Sequence, residues 1–243
     1  MTESDLRLLD EYRRSFGEAY EAVVEKITQR GQFPTGRLAK STLSIVEKLR
    51  RESLRLSQMQ DIAGCRVIVA NIMEQDSFIS ALAPDFPGAV IMDRRDKPSH
   101  GYRAVHVIVE VSRQPVEVQV RTSLQHQWAE VSEKSADVLD PAIKYGGGSD
   151  PWKQWLLKTS ASIARYEDLE KTHSEGVLAH QIMVASHQKD LIGRSPVELQ
   201  ADLHHSHQWT EKLGADLVQL KEEIASFLSL AVSTLDELKR TKP

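Results

Sequence analysis

The sequence predicts an α+β domain followed by an all-helical region, and three features of the apolar pattern indicate this class. Apolar residues recur at three- and four-residue steps over residues 4–30, the period of an amphipathic helix. Short β-branched runs with strict alternation follow between residues 64 and 122. Beyond residue 150 the helical period returns. A strand-rich middle region bounded by helices is therefore expected.

Turn and cap residues divide this pattern into elements. Asp150-Pro151 and Ser195-Pro196 are typical of helix starts, and Gly214 offers a break in the last helix. The expected helices cover residues 4–30, most of 36–55, 74–83, 122–138, 151–173, 177–193 and 196–241. The expected strands cover residues 64–70, 89–93, 102–111 and 115–122.

A glycine-rich connection, KYGGGSD at residues 144–150, is expected to separate two domains. The first would comprise residues 1–145 and the second, a helical extension, residues 146–243.

The last two strands predict an antiparallel hairpin, because only Ser112-Arg113-Gln114 separate them. Valines occupy one face of each strand, and we expect this face to pack on the core under the helices. The other face carries residues that are unusual on a solvated sheet: Tyr102, His106, Glu117, Gln119 and Arg121. We interpret it as the lining of a site.

Composition excludes several classes of protein. The chain has 243 residues, 40% apolar and 27% charged, which excludes a disordered or collagen-like chain. Neither a signal peptide pattern nor an apolar run of ~20 residues is present, so no membrane contact is expected. The single cysteine, Cys65, precludes an intrachain disulfide and makes the cytoplasm the expected location. A net charge of −4 disfavours a general nucleic-acid-binding protein.

A basic row in the helical stretch 36–55 suggests a phosphate site. It comprises Arg37 before the helix and Lys40, Ser44, Lys48 and Arg51 along one of its sides. Several cations with a hydroxyl suit a polyphosphate, whose charge needs several fixed donors. A solvated helix face balanced by Glu47 and Glu52 is the alternative.

Two acidic residues could add Mg²⁺ to such a site. Asp61 stands at the mouth of the strand 64–70, and Glu117 could lie near the same place. Two hard oxygen ligands beside a basic row are the usual composition of a phosphoryl-transfer site. For Asp61, capping of a turn is the alternative.

The loop 93–102 carries cations that could reach a second phosphate group. Tyr102, at its end, could stack on a base or pack as a rim aromatic.

The C-terminal region contains six histidines that allow a metal-site hypothesis: His173, His180, His187, His204, His205 and His207. Zinc sites more often include cysteine or acidic residues at tight spacing, so surface or interface histidines are the favoured interpretation.

Five motifs taken together resemble the synthetase domain of the RelA/SpoT family. They are K-x3-S-x3-K-x2-R from Lys40 to Arg51, QDIAGCR at 60–66, HGYRAVH at 100–106, VEVQVRT at 116–122 and QHQWAE at 125–130. The resemblance implies a mixed β-sheet flanked by helices, related to nucleotidyltransferases. It also implies Mg²⁺-dependent transfer of pyrophosphate from ATP to the ribose 3′-hydroxyl of GDP or GTP. The products would be the (p)ppGpp alarmones of the stringent response.

The resemblance also implies roles for individual residues. The ATP phosphates would be held by Arg37, Lys40, Ser44, Lys48, Arg51 and Arg66. Asp61 would ligate Mg²⁺, and Glu117 would ligate it or deprotonate the acceptor hydroxyl. Tyr102 would stack on the acceptor guanine. The other acceptor-side residues would be Lys97, His106, Gln119 and Arg121.

The expected substrates are ATP and GDP or GTP, and assembly as a homo-oligomer is expected. No His-Asp dipeptide occurs, so we expect no hydrolase domain of the kind found in long family members. Two alternatives stay open. A toxin-type relative would modify tRNA 3′ ends or adenine nucleotides and be held off by an antitoxin, whereas a non-catalytic protein would only sense nucleotides.

Overall fold

The fold is a mixed β-sheet with flanking helices and a C-terminal helical region, as seen in a computed structural model that describes residues 2–187 and 196–241. Internal contacts divide the chain into two units. The sheet unit runs up to Ala70 and from Glu74 to Ser123, and the helical unit takes Asn71–Met73 and the residues from Leu124 on. The expected α+β class is confirmed. A domain boundary between residues 145 and 146, inside the helical unit, stays a prediction.

The sheet unit alternates helices and strands along the chain. Its helices are α1 Glu3–Ser15, α2 Gly17–Gln29, α3 Thr42–Glu52 and α4 Ile72–Leu82, with short 3₁₀ turns at Leu56–Gln58 and Ala83–Asp85. Its strands are β1 Thr35–Arg37, β2 Ala63–Val69, β3 Val90–Asp93, β4 Val105–Val111 and β5 Gln114–Thr122. The strand order is β1-β2-β5-β4-β3.

Parallel pairing of β2 with β5 makes the sheet mixed, since every other pair is antiparallel. In this register Gly64 lies beside Glu117 and Arg66 beside Gln119, while His106 of β4 lies beside Gln119 from the other side. A Cβ atom on Gly64 would lie 2.8 Å from the backbone oxygen of Glu117, so glycine permits this close approach. The register therefore places residues of three strands next to each other.

The valine faces of β4 and β5 form the core of the sheet unit, as predicted. Six of their seven valines, at positions 105, 107, 109, 116, 118 and 120, are at most 1% exposed, and Val111 is partly buried. They belong to one apolar cluster with α2 residues such as Val23 and Ile27. Because side chains alternate along a strand, burial of the valines directs His106, Glu117 and Gln119 to the opposite face.

The β4–β5 connection is tighter than predicted. Val111 pairs with Gln114, so Gln114 belongs to β5 and only Ser112 and Arg113 form the turn. Both have positive φ, at 52° and 66°. This conformation suits the type I′ turns that match the twist of hairpin strands.

Two predicted elements of the sheet unit have different boundaries. The helix predicted over 4–30 is two helices that meet at Phe16, whose side chain is 1% exposed and packs edge-on against Tyr12. The strand predicted from residue 102 begins at Val105. Tyr102 closes a turn instead, donating its backbone N–H to Ser99, with His100 and Gly101 at positive φ between them.

The helical unit consists of α5 Ser123–Val138, a 3₁₀ turn at Pro141–Tyr145, α6 Asp150–His187 and α7 Pro196–Thr241. The helix break predicted at 174–176 is absent, since α6 continues through it, and α7 likewise passes Gly214 unbroken. Predicted helical residues 188–193 lie outside the described residues. No helix within the described ranges is long and apolar enough to cross a membrane.

The two helix-interior glycines allow close packing between α6 and α7. A Cβ on Gly176 would collide with Cζ3 of Trp209, and one on Gly214 would lie 3.0 Å from Nε2 of His173. That imidazole approaches the backbone oxygen of Thr210 at 2.9 Å. Gly176 and Gly214 therefore lie at contacts between the two helices, although glycine at these positions suggested that each helix would break there.

Replacement of Gly176 by alanine is expected to destabilise the helical unit. The added methyl group would collide with the Trp209 ring, at a cost of ~1–3 kcal/mol. Alanine recovers up to ~1 kcal/mol of helix propensity, so a net loss is expected. All four tryptophans lie in α5–α7, and urea unfolding followed by tryptophan fluorescence measures this unit.

Gly17→Ala is the matched control, because its new Cβ would meet only Cδ1 of Leu38 at 3.9 Å. Its fluorescence transition should coincide with that of the wild type. A Gly176→Ala protein with an unchanged midpoint would contradict the close packing of α6 on α7.

Candidate active site

Asp61 is held by two lysines from the basic row. Its Oδ2 accepts from Lys40 Nζ at 2.6 Å and its Oδ1 from Lys48 Nζ at 3.0 Å. The three side chains are between 15% and 22% exposed. Burial opposes ionisation of Asp61, but the two ammonium groups outweigh it and hold the pKa of this carboxyl below its ordinary value.

Local structure fixes the backbone from which these lysines project. Lys40 donates its backbone N–H to Ile62 at 2.6 Å, directly beside Asp61. Ser41 caps α3 by accepting from the backbone of Ser44 at 3.2 Å, which starts the helix that carries Lys48. The basic row and the mouth of β2 are therefore joined at a defined point.

Five polar side chains form a closed ring of hydrogen bonds on the sheet face opposite the valines. Glu117 Oε1 lies 2.7 Å from His106 Nδ1, and His106 Nε2 lies 2.9 Å from the Tyr102 hydroxyl. Arg121 Nη2 donates to that hydroxyl and to Gln119 Oε1, each at 2.9 Å. Gln119 Nε2 closes the ring on Glu117 Oε2 at 2.7 Å. These are the five residues that alternation predicts on one face.

Glu117 connects this ring electrostatically to Asp61. Burial disfavours its charge, but hydrogen bonds from His106 and Gln119 outweigh burial and lower the pKa of Glu117, against the opposing charge of Asp61. Both carboxylates are therefore ionised at neutral pH and close enough to influence each other. The charge of Asp61 therefore acts on the polar ring through Glu117.

The ring holds Tyr102 in a defined orientation. The guanidinium of Arg121 lies 5.0 Å from the centroid of the phenol ring, and the imidazole of His106 meets it edge-on at 5.6 Å. Burial raises the pKa of Tyr102 despite the nearby guanidinium. Arg121 is 3% exposed, and its Nε and Nη1 atoms lack a hydrogen-bond partner within the described residues. The site therefore holds cationic N–H groups that are still able to donate.

The remaining predicted residues differ in how closely the structure ties them to this site. Arg66 lies beside Gln119 in the β2–β5 pairing. Ser44 lies in the first turn of α3, and Arg51 pairs with Glu52 at 2.9 Å farther along that helix. Lys97 is exposed and forms no hydrogen bond or ion pair with a described residue.

Arg37 is defined only by its backbone, which lies in β1 opposite Gly64. Its side chain is outside the part of the chain that the structure describes.

One arginine that supports the basic row, Arg13, was missed by sequence reasoning, whereas Arg95 was expected among the loop cations able to reach a phosphate. Arg13 of α1 donates from Nε to the backbone oxygen of Lys40 at 2.8 Å. Arg95 donates to Asp93 and to Asp76, the latter at 2.7 Å, so this loop cation is engaged within the protein. Both contacts depend on tertiary structure. In the sequence, these contacts are indicated only by the position of each arginine within a run of polar residues.

Residues Asp61 and Glu117 fit the ligand preference of Mg²⁺. No group of three or more His, Cys, Asp or Glu residues able to hold a metal ion occurs in the described ranges, so the protein would supply these two carboxylates. Mg²⁺ commonly takes one or two carboxylates and completes its shell with phosphate oxygens and water. Two carboxylates are consistent with a site that binds Mg²⁺ together with the phosphate oxygens of a polyphosphate.

His180 and His207, two of the C-terminal histidines, contact each other and a serine. His180 Nδ1 lies 3.2 Å from the Ser206 hydroxyl, and its ring stacks on His207 with centroids 5.5 Å apart. The side chain of His187 is outside the described residues.

Acidification is expected to remove the stabilisation that Asp61 provides. Because its pKa is lower in the folded chain than in the unfolded chain, its ion pairs stabilise the fold at neutral pH and fail as pH falls. The difference in unfolding free energy between the wild type and Asp61→Asn should shrink between about pH 5 and about pH 2. Urea unfolding followed by circular dichroism measures it.

Asp96→Asn is the control, because this exposed carboxylate forms no ion pair within the described residues. Its unfolding free energy should follow that of the wild type. A difference between the wild type and Asp61→Asn that stays constant over this pH range would contradict the ion pairs.

Comparison with known proteins agrees with the motifs. Residues 36–136 match a family model described as a region found in RelA / SpoT proteins. Uncharacterised proteins of Mycobacterium tuberculosis and Mycobacterium bovis are each 40% identical to this chain over 111 residues. The match covers 44% of this chain and 41% of each relative, so it spans less than half the length of these relatives.

The fold is similar to that of small alarmone synthetase 1 from Bacillus subtilis, with 26% identity and a TM-score of 0.54. The alignment covers 73% of this chain and 99% of that one. A second structure of that synthetase, bound to its product pppGpp, aligns with the same identity and TM-score over 100% of its chain. Residues 36–136 of this chain therefore match the region found in RelA / SpoT proteins, within a fold similar to that of a small alarmone synthetase.

Proposed function

We propose that this protein transfers pyrophosphate from ATP to the ribose 3′-hydroxyl of GDP or GTP and so makes (p)ppGpp. The observation that carries the proposal is the parallel pairing of β2 with β5, which places the strand that follows Asp61 beside Glu117 and so brings a lysine-rich half-site near an aromatic, hydrogen-bonded half-site. A transfer between two nucleotides needs this arrangement, with one half for the donor phosphates and one for the acceptor. The product-bound Bacillus subtilis synthetase supports the substrate class.

The reaction would join the acceptor 3′-oxygen to the β-phosphorus of ATP. The bond from that phosphorus to the oxygen bridging to the α-phosphorus breaks, and AMP leaves with this oxygen. The proton of the 3′-hydroxyl would pass to Glu117 Oε1 or Oε2. This carboxylate is held by His106 and Gln119, so little reorientation is needed when the hydroxyl arrives.

The donor half would bind the ATP phosphates through the basic row. Lys40 and Lys48 already lie within hydrogen-bond distance of a carboxylate, so they can reach an anion at this position. The other proposed contacts to ATP are Arg37, Ser44, Arg51 and Arg66. Several fixed cations compensate a polyphosphate more fully than one cation can.

Asp61 would hold Mg²⁺, with phosphate oxygens and water as further ligands, and Glu117 would either complete this set or act as the base for the acceptor hydroxyl. The ion, when bound, neutralises charge that develops on the transferred phosphates. The two carboxylates suit these roles because both are ionised at neutral pH.

The acceptor half would bind guanine on the ring of Tyr102. Its hydroxyl is fixed by His106 and Arg121, which leaves the aromatic ring in one orientation for stacking. Gln119 and the exposed Lys97 are the further proposed acceptor contacts. Assembly as a homo-oligomer and location in the cytoplasm stay predictions.

An acceptor screen tests the proposed function. The protein is incubated with ATP labelled at the γ-phosphate and Mg²⁺, with GDP, GTP, AMP, ADP, ATP or bulk tRNA offered separately. Label in GDP or GTP is the expected result. Label in tRNA or adenine nucleotides would replace the proposal by a toxin-type activity, and ATP binding with no transfer to any acceptor would indicate a nucleotide sensor.

Tyr102→Ala should weaken binding of the acceptor and leave ATP binding nearly unchanged. Base–aromatic stacking contributes ~1–3 kcal/mol, so the acceptor Kd should rise ~5- to 150-fold. Isothermal titration with GDP and, separately, with a non-hydrolysable ATP analogue measures both constants. Tyr102→Phe keeps the stacking ring and removes only the hydroxyl, so it should retain most of the acceptor affinity. Equal losses for both nucleotides would contradict the stacking role.

A further inference from the structure

Both oxygens of the Asp61 carboxylate are already engaged in the nucleotide-free protein. Lys40 binds Oδ2 at 2.6 Å and Lys48 binds Oδ1 at 3.0 Å. These are the lysines proposed above to bind the ATP phosphates, and Asp61 is the carboxylate proposed to bind the divalent cation. The same three side chains therefore have two mutually exclusive sets of partners.

A free divalent cation meets unfavourable charge at this point. Each oxygen of Asp61 is covered by an ammonium group, so a cation that approaches these oxygens is repelled until a lysine moves away. Glu117 alone gives a free cation only one carboxylate, whose two oxygens already accept from His106 and Gln119, so it does not replace Asp61. A triphosphate reverses the balance, since its negative charge attracts the lysines and frees the carboxylate.

The backbone around Lys40 is fixed, so the lysines can change partners from Asp61 to a phosphate by moving only their side chains. The Lys40 backbone is bound on both sides, its N–H to Ile62 at 2.6 Å and its carbonyl by Arg13 at 2.8 Å. Lys48 has a second acid nearby, Glu52, at 3.9 Å. The ammonium groups can therefore leave Asp61 by rotation about side-chain bonds, whereas the positions of α3 and β2 stay fixed.

We propose that Lys40 and Lys48 keep Asp61 closed to a free divalent cation and release it only when a triphosphate takes the lysines. Binding of triphosphate and binding of the cation are then coupled, and each strengthens the other. The assignment of the triphosphate to these lysines rests on the proposed function. The closing of Asp61 to a free cation rests only on the described contacts.

Mn²⁺ binding to the nucleotide-free protein tests the closed state without any catalysis. Electron paramagnetic resonance measures free Mn²⁺ in titrations of the wild type, Lys40→Met and Lys48→Met. Each substitution removes one charge and one hydrogen bond from Asp61, so Mn²⁺ affinity should rise about tenfold over the wild type. In the double variant Lys48→Met with Asp61→Asn, the gain should disappear.

Lys134→Met is the matched control. It breaks a lysine–aspartate pair of the same length, from Lys134 to Asp236 at 2.6 Å, in the helical unit. Its Mn²⁺ affinity should equal that of the wild type, because release of a single exposed carboxylate makes no comparable site. Wild-type affinity equal to that of the Lys40 and Lys48 variants would overturn the proposal, as would a gain that survives Asp61→Asn.

ATP binding in EDTA tests the coupling in the opposite direction. Without metal, Asp61→Asn should bind ATP more tightly than the wild type, about tenfold, because both lysines are released and a repelling carboxylate is removed. With Mg²⁺ present, the advantage should vanish or reverse. Weaker ATP binding by this variant under both conditions would overturn the coupling.

The two proposals fail in distinguishable ways. If no variant and no condition gives ATP binding, the proposed function fails, while the Mn²⁺ titrations still decide whether the lysines close Asp61.

Discussion

Parallel pairing of β2 with β5 is the constraint on which the site depends. The two strands are about fifty residues apart in the chain, yet their register brings Gly64 beside Glu117 and Arg66 beside Gln119. Only a residue without a side chain permits that approach, because a Cβ on Gly64 would collide with the backbone of Glu117. The mouth of β2, with Asp61, is thereby held near the polar face of the hairpin. Any shift of register by one residue would turn Glu117 and Gln119 into the valine core.

The closed ring of hydrogen bonds follows from this register. Each polar group from Tyr102 to Glu117 lies in a partly buried place, where an unpaired donor or acceptor is costly. The ring satisfies these groups mutually, and removal of one member would leave each of its two neighbours with one ring partner instead of two. Such a network holds the proposed base and the proposed stacking ring in one geometry before a substrate binds. Among the members of the ring, the described contacts leave two buried nitrogens without a hydrogen-bond partner, Nε and Nη1 of Arg121.

Ion pairs, and not buried hydrogen bonds, hold the side chains of the basic row. In the absence of nucleotide, Lys40 and Lys48 form ion pairs with Asp61. This carboxylate partly neutralises the positive charge that suits the two lysines to a polyphosphate. Ion pairs that are partly exposed can exchange partners at low cost, because each side chain keeps water nearby during the change. The sheet unit thus combines a rigid half built from buried hydrogen bonds with an adaptable half built from ion pairs.

The sequence by itself determined the faces of the strands and the resemblance to the RelA/SpoT family. Alternation with a period of two separates the valines of β4 and β5 from His106, Glu117 and Gln119, and this separation needs no knowledge of distant residues. The five motifs likewise depend on order and spacing alone. Helix continuity could not be read in the same way, because Gly176 and Gly214 suggest breaks locally but serve as contact points between α6 and α7.

Tertiary structure alone decided which partners the charged groups take. The pairing of Asp61 with Lys40 and Lys48 joins residues 21 and 13 positions apart, and the support of Lys40 by Arg13 joins residues 27 apart. Spacing on one helix predicted a common side for the cations but said nothing about the carboxylate that they would meet. The physical reason is that apolar periodicity is a property of each segment, whereas an ion pair is a property of two segments brought together by folding.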